Sequence, residues 1–251
     1  MSGHSKWKTI KHKKEKEDAK RGTMFTKLIR ELTVAAKEGG GDPSMNSKLR
    51  SAMENAKAGG MPKDHVEKAI KRGTGELPGV MYESVSYEGY APGGAAILVE
   101  VLTDNKNRTT AEVRHIFAKY GGNLGQNGCV AWMFEEKGIV YVDKSETNEE
   151  KLVNLCIELE GEDVGTDDET AFYITTRPDK VEELKKALDE NKIKYNKAEI
   201  TNLPKNKIKV EKKQAKQALQ IMDLLEEHED VQKVYANFDI PDELLQEQEQ
   251  E

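Results

Sequence analysis

The pattern of hydrophobic and polar positions changes twice along the 251-residue chain. Within residues 1–20, Trp7 and Ile10 are the candidate core side chains, and the rest is mostly Lys, His, Ser and Glu. Such a segment buries too little to fold by itself and reads as an arm that orders on a partner. Next, Phe25, Leu28, Ile29, Leu32, Ala35 and Ala36 recur with the i, i+3, i+4, i+7 spacing of an amphipathic helix, which Gly39-Gly40-Gly41 ends. Asp42-Pro43 reads as an N-cap and first-turn proline opening a second helix, with Leu49, Ala52, Met53 and Ala56 on one face. Gly59-Gly60 breaks it. Pro62 opens a third helix with Val66, Ala69 and Ile70 inward, and Gly73 closes it.

From Tyr82 the period shortens toward two. Ser84–Tyr90 and Ala95–Leu102 are predicted strands around Pro92-Gly93-Gly94. Asn107–Tyr120 is a predicted helix with Val113, Ile116 and Phe117 on one face. Val130–Phe134 and Ile139–Val142 are predicted strands about Gly138. A helix with Leu152, Leu155, Cys156 and Leu159 follows. After it come strands at 162–167 and 171–176, a helix from Pro178 with Val181, Leu184 and Leu188, and a strand over 193–201. That β-α-β-β-α-β order is the split βαβ signature of ferredoxin-like domains. Ala215–Leu225 (helix) and Val231–Phe238 (strand) are then left over and complete the earlier β-β-α-β. The expected fold is α+β: an N-terminal all-helical domain and two ferredoxin-like α/β domains, one inserted in the other. The expected divisions are a basic arm over 1–20, a helical domain over 21–78 and a discontinuous α/β domain over 79–136 plus 204–240. An inserted domain spans 137–203 and an acidic tail 241–251.

Composition supports several small domains over one large core, since 36% of residues are hydrophobic and 34% charged. No apolar run reaches the ~18–20 residues of a membrane span, and the first residues lack the apolar stretch of a secretory signal. Two cysteines, Cys129 and Cys156, make neither a disulfide framework nor a metal knuckle, so a reducing cytoplasm is the expected compartment. The net charge of -7 hides a split: residues 1–75 hold 18 Lys and Arg against 9 Asp and Glu, and the remainder 21 against 37. Such asymmetry predicts a polyanion-binding front and a repelling rear.

Candidate chemistry follows the same division. His4, His12, His65, His115 and His228 show no metal-binding spacing, and neither GxxxxGK[ST] nor GxSxG occurs. Gly121-Gly122-Asn123-Leu124-Gly125 follows a helix rather than a strand, which suits a helix C-cap and turn better than a phosphate loop. Adjacent acids such as Glu135-Glu136, Asp167-Asp168 and Glu226-Glu227 do not face each other on a helix and make poor acid/base pairs. No catalytic residues, metal, cofactor or small-molecule substrate are expected.

The basic arm does carry chemistry. Lys6, Lys8, Lys11, Lys13, Lys14, Lys16, Lys20 and Arg21 lie close together around Trp7. Lysines neutralise phosphates and release counterions, while Trp7 either stacks on a base or anchors the arm to the body. Lys13, Lys16, Lys20 and Lys27 form one stripe if helical. Lys71 and Arg72 keep the helical domain basic. Lys106 and Arg108 stand where a helix N-terminus offers a phosphate site.

Several motifs resemble the YebC family: Gly3-His4-Ser5-Lys6-Trp7, Ile10-Lys11-His12-Lys13, Asp18-Ala19-Lys20-Arg21-Gly22, Gly39-Gly40-Gly41-Asp42-Pro43 and Ala69-Ile70-Lys71-Arg72-Gly73-Thr74-Gly75. Tyr87-Glu88-Gly89-Tyr90, Leu102-Thr103-Asp104-Asn105 with Asn107-Arg108-Thr109, and the Gly121–Gly125 segment extend the likeness across the chain. The resemblance implies a cytoplasmic three-domain protein of a family described as DNA-binding transcriptional regulators. Its relatives include a mitochondrial translational activator of a cytochrome oxidase subunit, and bacterial members have been tied to translation through proline-rich stretches. The expected partner is therefore nucleic acid, either DNA or ribosomal RNA and the ribosome, contacted by a monomer that binds no membrane.

Overall fold

The computed structural model describes residues 17–166, 170–240 and 244, with backbone alone for 17–20. Most of the arm expected over 1–20 and of the tail expected over 241–251 lies outside the described residues. Among the described residues the chain forms two compact units, one of 17–131, 209–236, 240 and 244, the other of 132–208 and 237–239.

The first unit begins with α1 (Glu17–Gly39), α2 (Ser47–Ala58) and α3 (Lys63–Gly73). Leu28, Leu32, Ala35 and Ala36 of α1 bury against Leu49, Ala52 and Ala56 of α2, Met61, and Ala69 of α3. These contacts are mostly small residues, so the helices approach closely. A Cβ on Gly73 would stand 2.3 Å from the Thr33 carbonyl oxygen. The expected start of the second helix at Asp42-Pro43 is corrected. Asp42 accepts from the backbone N–H and hydroxyl of Ser44 (2.8 and 2.7 Å) and makes a local turn instead. Asn46 is the true N-cap, accepting from the Leu49 N–H at 3.0 Å. Its amide also donates to the carbonyls of Ala35 and Gly40, both at 2.8 Å, so one side chain starts α2 and ties down the end of α1.

The α/β part of this unit holds β1 (Glu83–Tyr90), β2 (Ala96–Thr103), α4 (Lys106–Lys119) and β3 (Asn123–Leu124). In the other unit follow β4 (Phe134–Asp143), α5 (Glu149–Glu158), β5 (Asp163–Gly165), β6 (Ala171–Thr176), α6 (Val181–Glu190) and β7 (Lys197–Pro204). β8 (Ile208–Lys209) leads to α7 (Lys212–Glu227) and β9 (Val231–Ala236) of the first unit, and β10 (Phe238–Asp239) ends the series. The first sheet is antiparallel in the order β3-β1-β2-β9, so β2, the most continuously apolar strand, is central. β2-α4-β3 is a split βαβ with β1 between its strands. Val113 and Phe117 of α4 are buried, as are Ala215, Ala218, Leu219, Ile221, Met222 and Leu225 of α7. α4 and α7 run antiparallel: Gly121, just past α4, lies by Gln217 near the start of α7, and His228, just past α7, meets Glu112 in the first half of α4.

The second sheet has the order β5-β6-β4-β7 and is fully antiparallel. It contains two interlocked split βαβ units, the ferredoxin-like arrangement. Val140, Val142, Phe172 and Ile174 face Leu152, Leu155, Leu184 and Leu188 of its helices. The pair of strands expected about Gly138 is corrected to one strand, with Ala131–Met133 as a 3-10 turn before it. Gly138 does not break β4 because it answers a packing need: a Cβ there would stand 2.1 Å from Val181 Cγ2. Among the described residues no helix is long and apolar enough to cross a membrane.

Candidate nucleic-acid interface

Lys6, Trp7, Lys8, Lys11, Lys13, Lys14 and Lys16 lie outside the described residues. Lys20 belongs to the first turns of α1, where its backbone alone is described, and Arg21 beside it is exposed. Lys71 and Arg72 are exposed in the last turn of α3, where cations also complement the helix dipole. The two groups are not brought together. α3 ends against Thr33, twelve residues along α1 from Arg21, which is about 18 Å of helix.

The remaining two expected phosphate contacts turn toward the protein itself. Lys27 is half-buried and its Nζ donates to the carbonyl of Glu226, at the C-terminal end of α7. The Arg108 guanidinium donates to Asp104 (2.9 Å) and to Asp230 (2.8 Å). Asn105 caps α4 by accepting from the Arg108 N–H at 3.1 Å. The phosphate site expected at the start of α4 is thus already supplied with carboxylates.

Asp230 is the centre of this arrangement and is buried. It accepts from Thr109 (2.6 Å), Arg108 (2.8 Å) and Thr103 (3.2 Å), and pairs with Arg30, which is itself buried. Arg30 also donates to the Leu102 carbonyl and lies over the Tyr82 ring, 5.4 Å from its centroid. Arg30 comes from α1, Thr103 from the end of β2, Thr109 from the first turn of α4, and Asp230 from the turn before β9. The cluster therefore locks the helical part onto the α/β part. Burial pushes the Asp230 carboxyl up, but the hydrogen bonds from Thr109 and Arg108 and the Arg30 charge outweigh it and hold it at about 2. The Asp230 hydrogen bond in turn raises the Arg108 guanidinium above its ordinary range.

Glu112, His228 and Asp230 lie close enough to share a cation. Two guanidiniums already balance Asp230, however. His228 Nδ1 accepts the Asp230 backbone N–H at 3.1 Å, and its Nε2 meets Glu112 at 2.9 Å. A metal would have to displace these partners and sit beside two positive charges.

The glycine-rich segment is built for packing. Gly121 has φ +77°, as a residue just past a helix end often does. A Cβ on Gly122 would stand 2.8 Å from the Tyr90 carbonyl, and one on Gly125 would stand 2.5 Å from Cys129 Sγ. The loop after it does point N–H groups at an anion, but that anion is internal. Buried Glu88 accepts from Gly128 (2.6 Å), Val130 (2.7 Å) and Ala131 (2.8 Å). Burial pushes its carboxyl up, yet the three N–H groups prevail and lower it overall.

One basic region was absent from the expected site. Residues 205–216 hold six lysines and one glutamate. A net charge counted over all the residues after 75 conceals this run, whereas a window of about a dozen residues reveals it.

Comparison with known proteins gives a consistent result. Residues 5–76 match the family described as TACO1/YebC protein N-terminal domain, and residues 82–238 match TACO1/YebC second and third domain. A relative from Dictyoglomus turgidum named "Probable transcriptional regulatory protein" is 54% identical over 247 residues, covering 98% of this chain and 99% of its own. A relative of the same name from Persephonella marina is 53% identical over the same coverage. The crystal structure of a conserved hypothetical protein from Aquifex aeolicus superposes with a TM-score of 0.80 at 47% identity, covering 90% of this chain and 93% of that one.

Proposed function

The chain belongs to the TACO1/YebC family, and from that premise we propose that it is a nucleic-acid-binding regulator of gene expression. Its basic front end grips the sugar-phosphate backbone of DNA. The observation that carries this reading is the excess of basic residues through the arm and helical domain, with Arg21, Lys71 and Arg72 exposed to solvent. The naming of the relatives supports transcription as the process. We read the chain as a cytoplasmic, monomeric binder rather than an enzyme. In support, the glycine-rich loop and the Asp230 cluster are both engaged in holding the fold together.

A second reading, binding to ribosomal RNA or the ribosome, is favoured by one feature of the helical domain. The exposed positions of α3 mix Lys63, Lys68, Lys71 and Arg72 with Asp64 and Glu67 rather than presenting a row of base-reading Arg, Asn or Gln. Lysine contacts position a protein on a backbone without reading sequence.

Competition binding among promoter DNA, random duplex DNA, structured ribosomal RNA and intact ribosomes separates the two. An operator reader prefers its site by ~10³ or more over random duplex. A ribosome-directed factor pellets with ribosomes and shows no such preference. Changing Lys11→Glu, Lys13→Glu, Lys14→Glu and Lys16→Glu together abolishes the preferred binding in either case. If that variant binds every nucleic acid and the ribosome as the parent does, the basic front is not the binding element.

A further inference from the structure

We propose that the N-terminal end of α7, with Lys209, Lys212, Lys213 and Lys216, is a second contact for the phosphate backbone of duplex DNA, separate from the arm and helical domain. This rests on the reading of the chain as a DNA-binding regulator. Lys209, Lys213 and Lys216 are exposed and Lys212 is half-buried. Lys212 and Lys216 also make contacts within the protein, so the claim concerns the charge they bring to the surface.

Three observations converge on this end of the helix. The first is charge. The acid inside the segment, Glu211, is the N-cap of α7, and its side chain is engaged in a reciprocal capping box with Gln214. The second is the neighbourhood. The Pro92–Gly94 turn packs on the first turn of α7, where a Cβ on Gly93 would meet Gln214 and Val210 at 2.8 and 3.0 Å. A Cβ on Gly121 would in turn lie 3.8 Å from Gln217. The Pro92–Gly94 turn and Gly121 thus lie at this end of α7, and Lys119 occupies the last turn of α4 just before Gly121. The third is direction. The partial positive charge of a helix N-terminus adds to the lysines, whereas Lys27 and the Asp230 cluster close the opposite end. The sixteen residues of α7 separate these ends by about 24 Å.

The chemistry selects a duplex. Lysine ammoniums are point charges that neutralise phosphates without specifying a base. Tyr120, the aromatic residue at this end, is half-buried with Lys119 Nζ 5.4 Å from its ring centroid, so charge rather than a stacking surface is on offer.

The test uses the full chain and a random-sequence 20-base-pair DNA duplex, with an RNA duplex of the same sequence as the second arm. Lys209→Gln, Lys212→Gln, Lys213→Gln and Lys216→Gln are combined. The expected result is a loss of DNA affinity of about tenfold or more near 0.1 M salt. The slope of log affinity against log salt should become shallower by about 2–4, since each phosphate contact contributes roughly 0.9. The corresponding four Lys→Arg changes should keep binding, and both variants should match the parent in thermal midpoint. Unchanged affinity and slope in the Gln variant, with the arm variant still impaired, would overturn this contact and leave the proposed function standing. Loss confined to the RNA duplex would overturn the DNA assignment. A parent protein that binds neither duplex would remove the DNA-binding reading and this inference with it.

Discussion

The two ends of α7 hold similar cations in opposite circumstances. At its C-terminal end Arg30, Arg108 and Lys27 meet a buried carboxylate and a helix-end carbonyl, and they join the helical part of the unit to the sheet layer. At its N-terminal end Lys209 and Lys213 stand exposed beside the capping Glu211. Residue type does not separate a structural cation from a binding one. The separation lies in whether the fold supplies an acceptor within hydrogen-bonding distance. A buried pair is strongly destabilising to break, because the survivor is left without compensation, whereas an exposed lysine is close to neutral for stability.

The largest effect expected is for Asp230→Ala. It leaves Arg30 and Arg108 facing each other with no carboxylate and should lower unfolding free energy by about 3–5 kcal/mol in urea titration. Lys213→Ala, at the other end of the same helix, should stay within about 0.5 kcal/mol. Equal effects would erase the contrast.

Acid should act on one end and not the other. Asp230 is held at about 2 in the folded chain, below the ordinary ~3.9 of an unfolded aspartate. Its contribution is therefore fully present above pH ~4 and is lost as pH falls through 2. That amounts to roughly 2–3 kcal/mol. Unfolding midpoints measured between pH 5 and pH 2 should fall more steeply in the parent than in Asp230→Asn, which lacks this step. Parallel curves would show that Asp230 is not the group titrating.

Glu88 extends the comparison to an internal anion held by backbone alone. Glu88→Gln should cost about 1–3 kcal/mol, since an amide cannot accept all three loop N–H groups. Hydrogen exchange at Gly128, Val130 and Ala131 should speed up first, and unchanged protection there would contradict the assignment. Smaller again, Lys27→Ala should cost under about 1 kcal/mol, as one ammonium leaving a helix C-terminus, and should leave DNA affinity unchanged. A loss of DNA affinity would return Lys27 to the binding stripe.

Much of the architecture follows from local pattern. The 3.6-residue spacing of Leu28, Leu32 and Ala36 buries against two further helices, and the β-α-β-β-α-β order of the inserted unit appears as two interlocked crossovers. Local signals misled where two candidates competed within a few residues. Asp42 and Asn46 are both capable caps, and the choice fell to Asn46 because its amide also reaches the carbonyls of Ala35 and Gly40 at the end of α1. Gly138 reads as a break in sequence and is a continuous strand position in three dimensions, because Val181 fills the space where a side chain would be.

By itself, then, the sequence determined most of the helices and strands, their grouping into helical and split βαβ units, and the location of the basic front, because periodicity and charge density are properties of neighbouring residues. The tertiary structure alone decided which cations remain available to a partner. Arg108 finds Asp230 across 122 positions and Lys27 finds Glu226 across 199. No local window contains both members of such a pair, and only folding brings them within hydrogen-bonding distance.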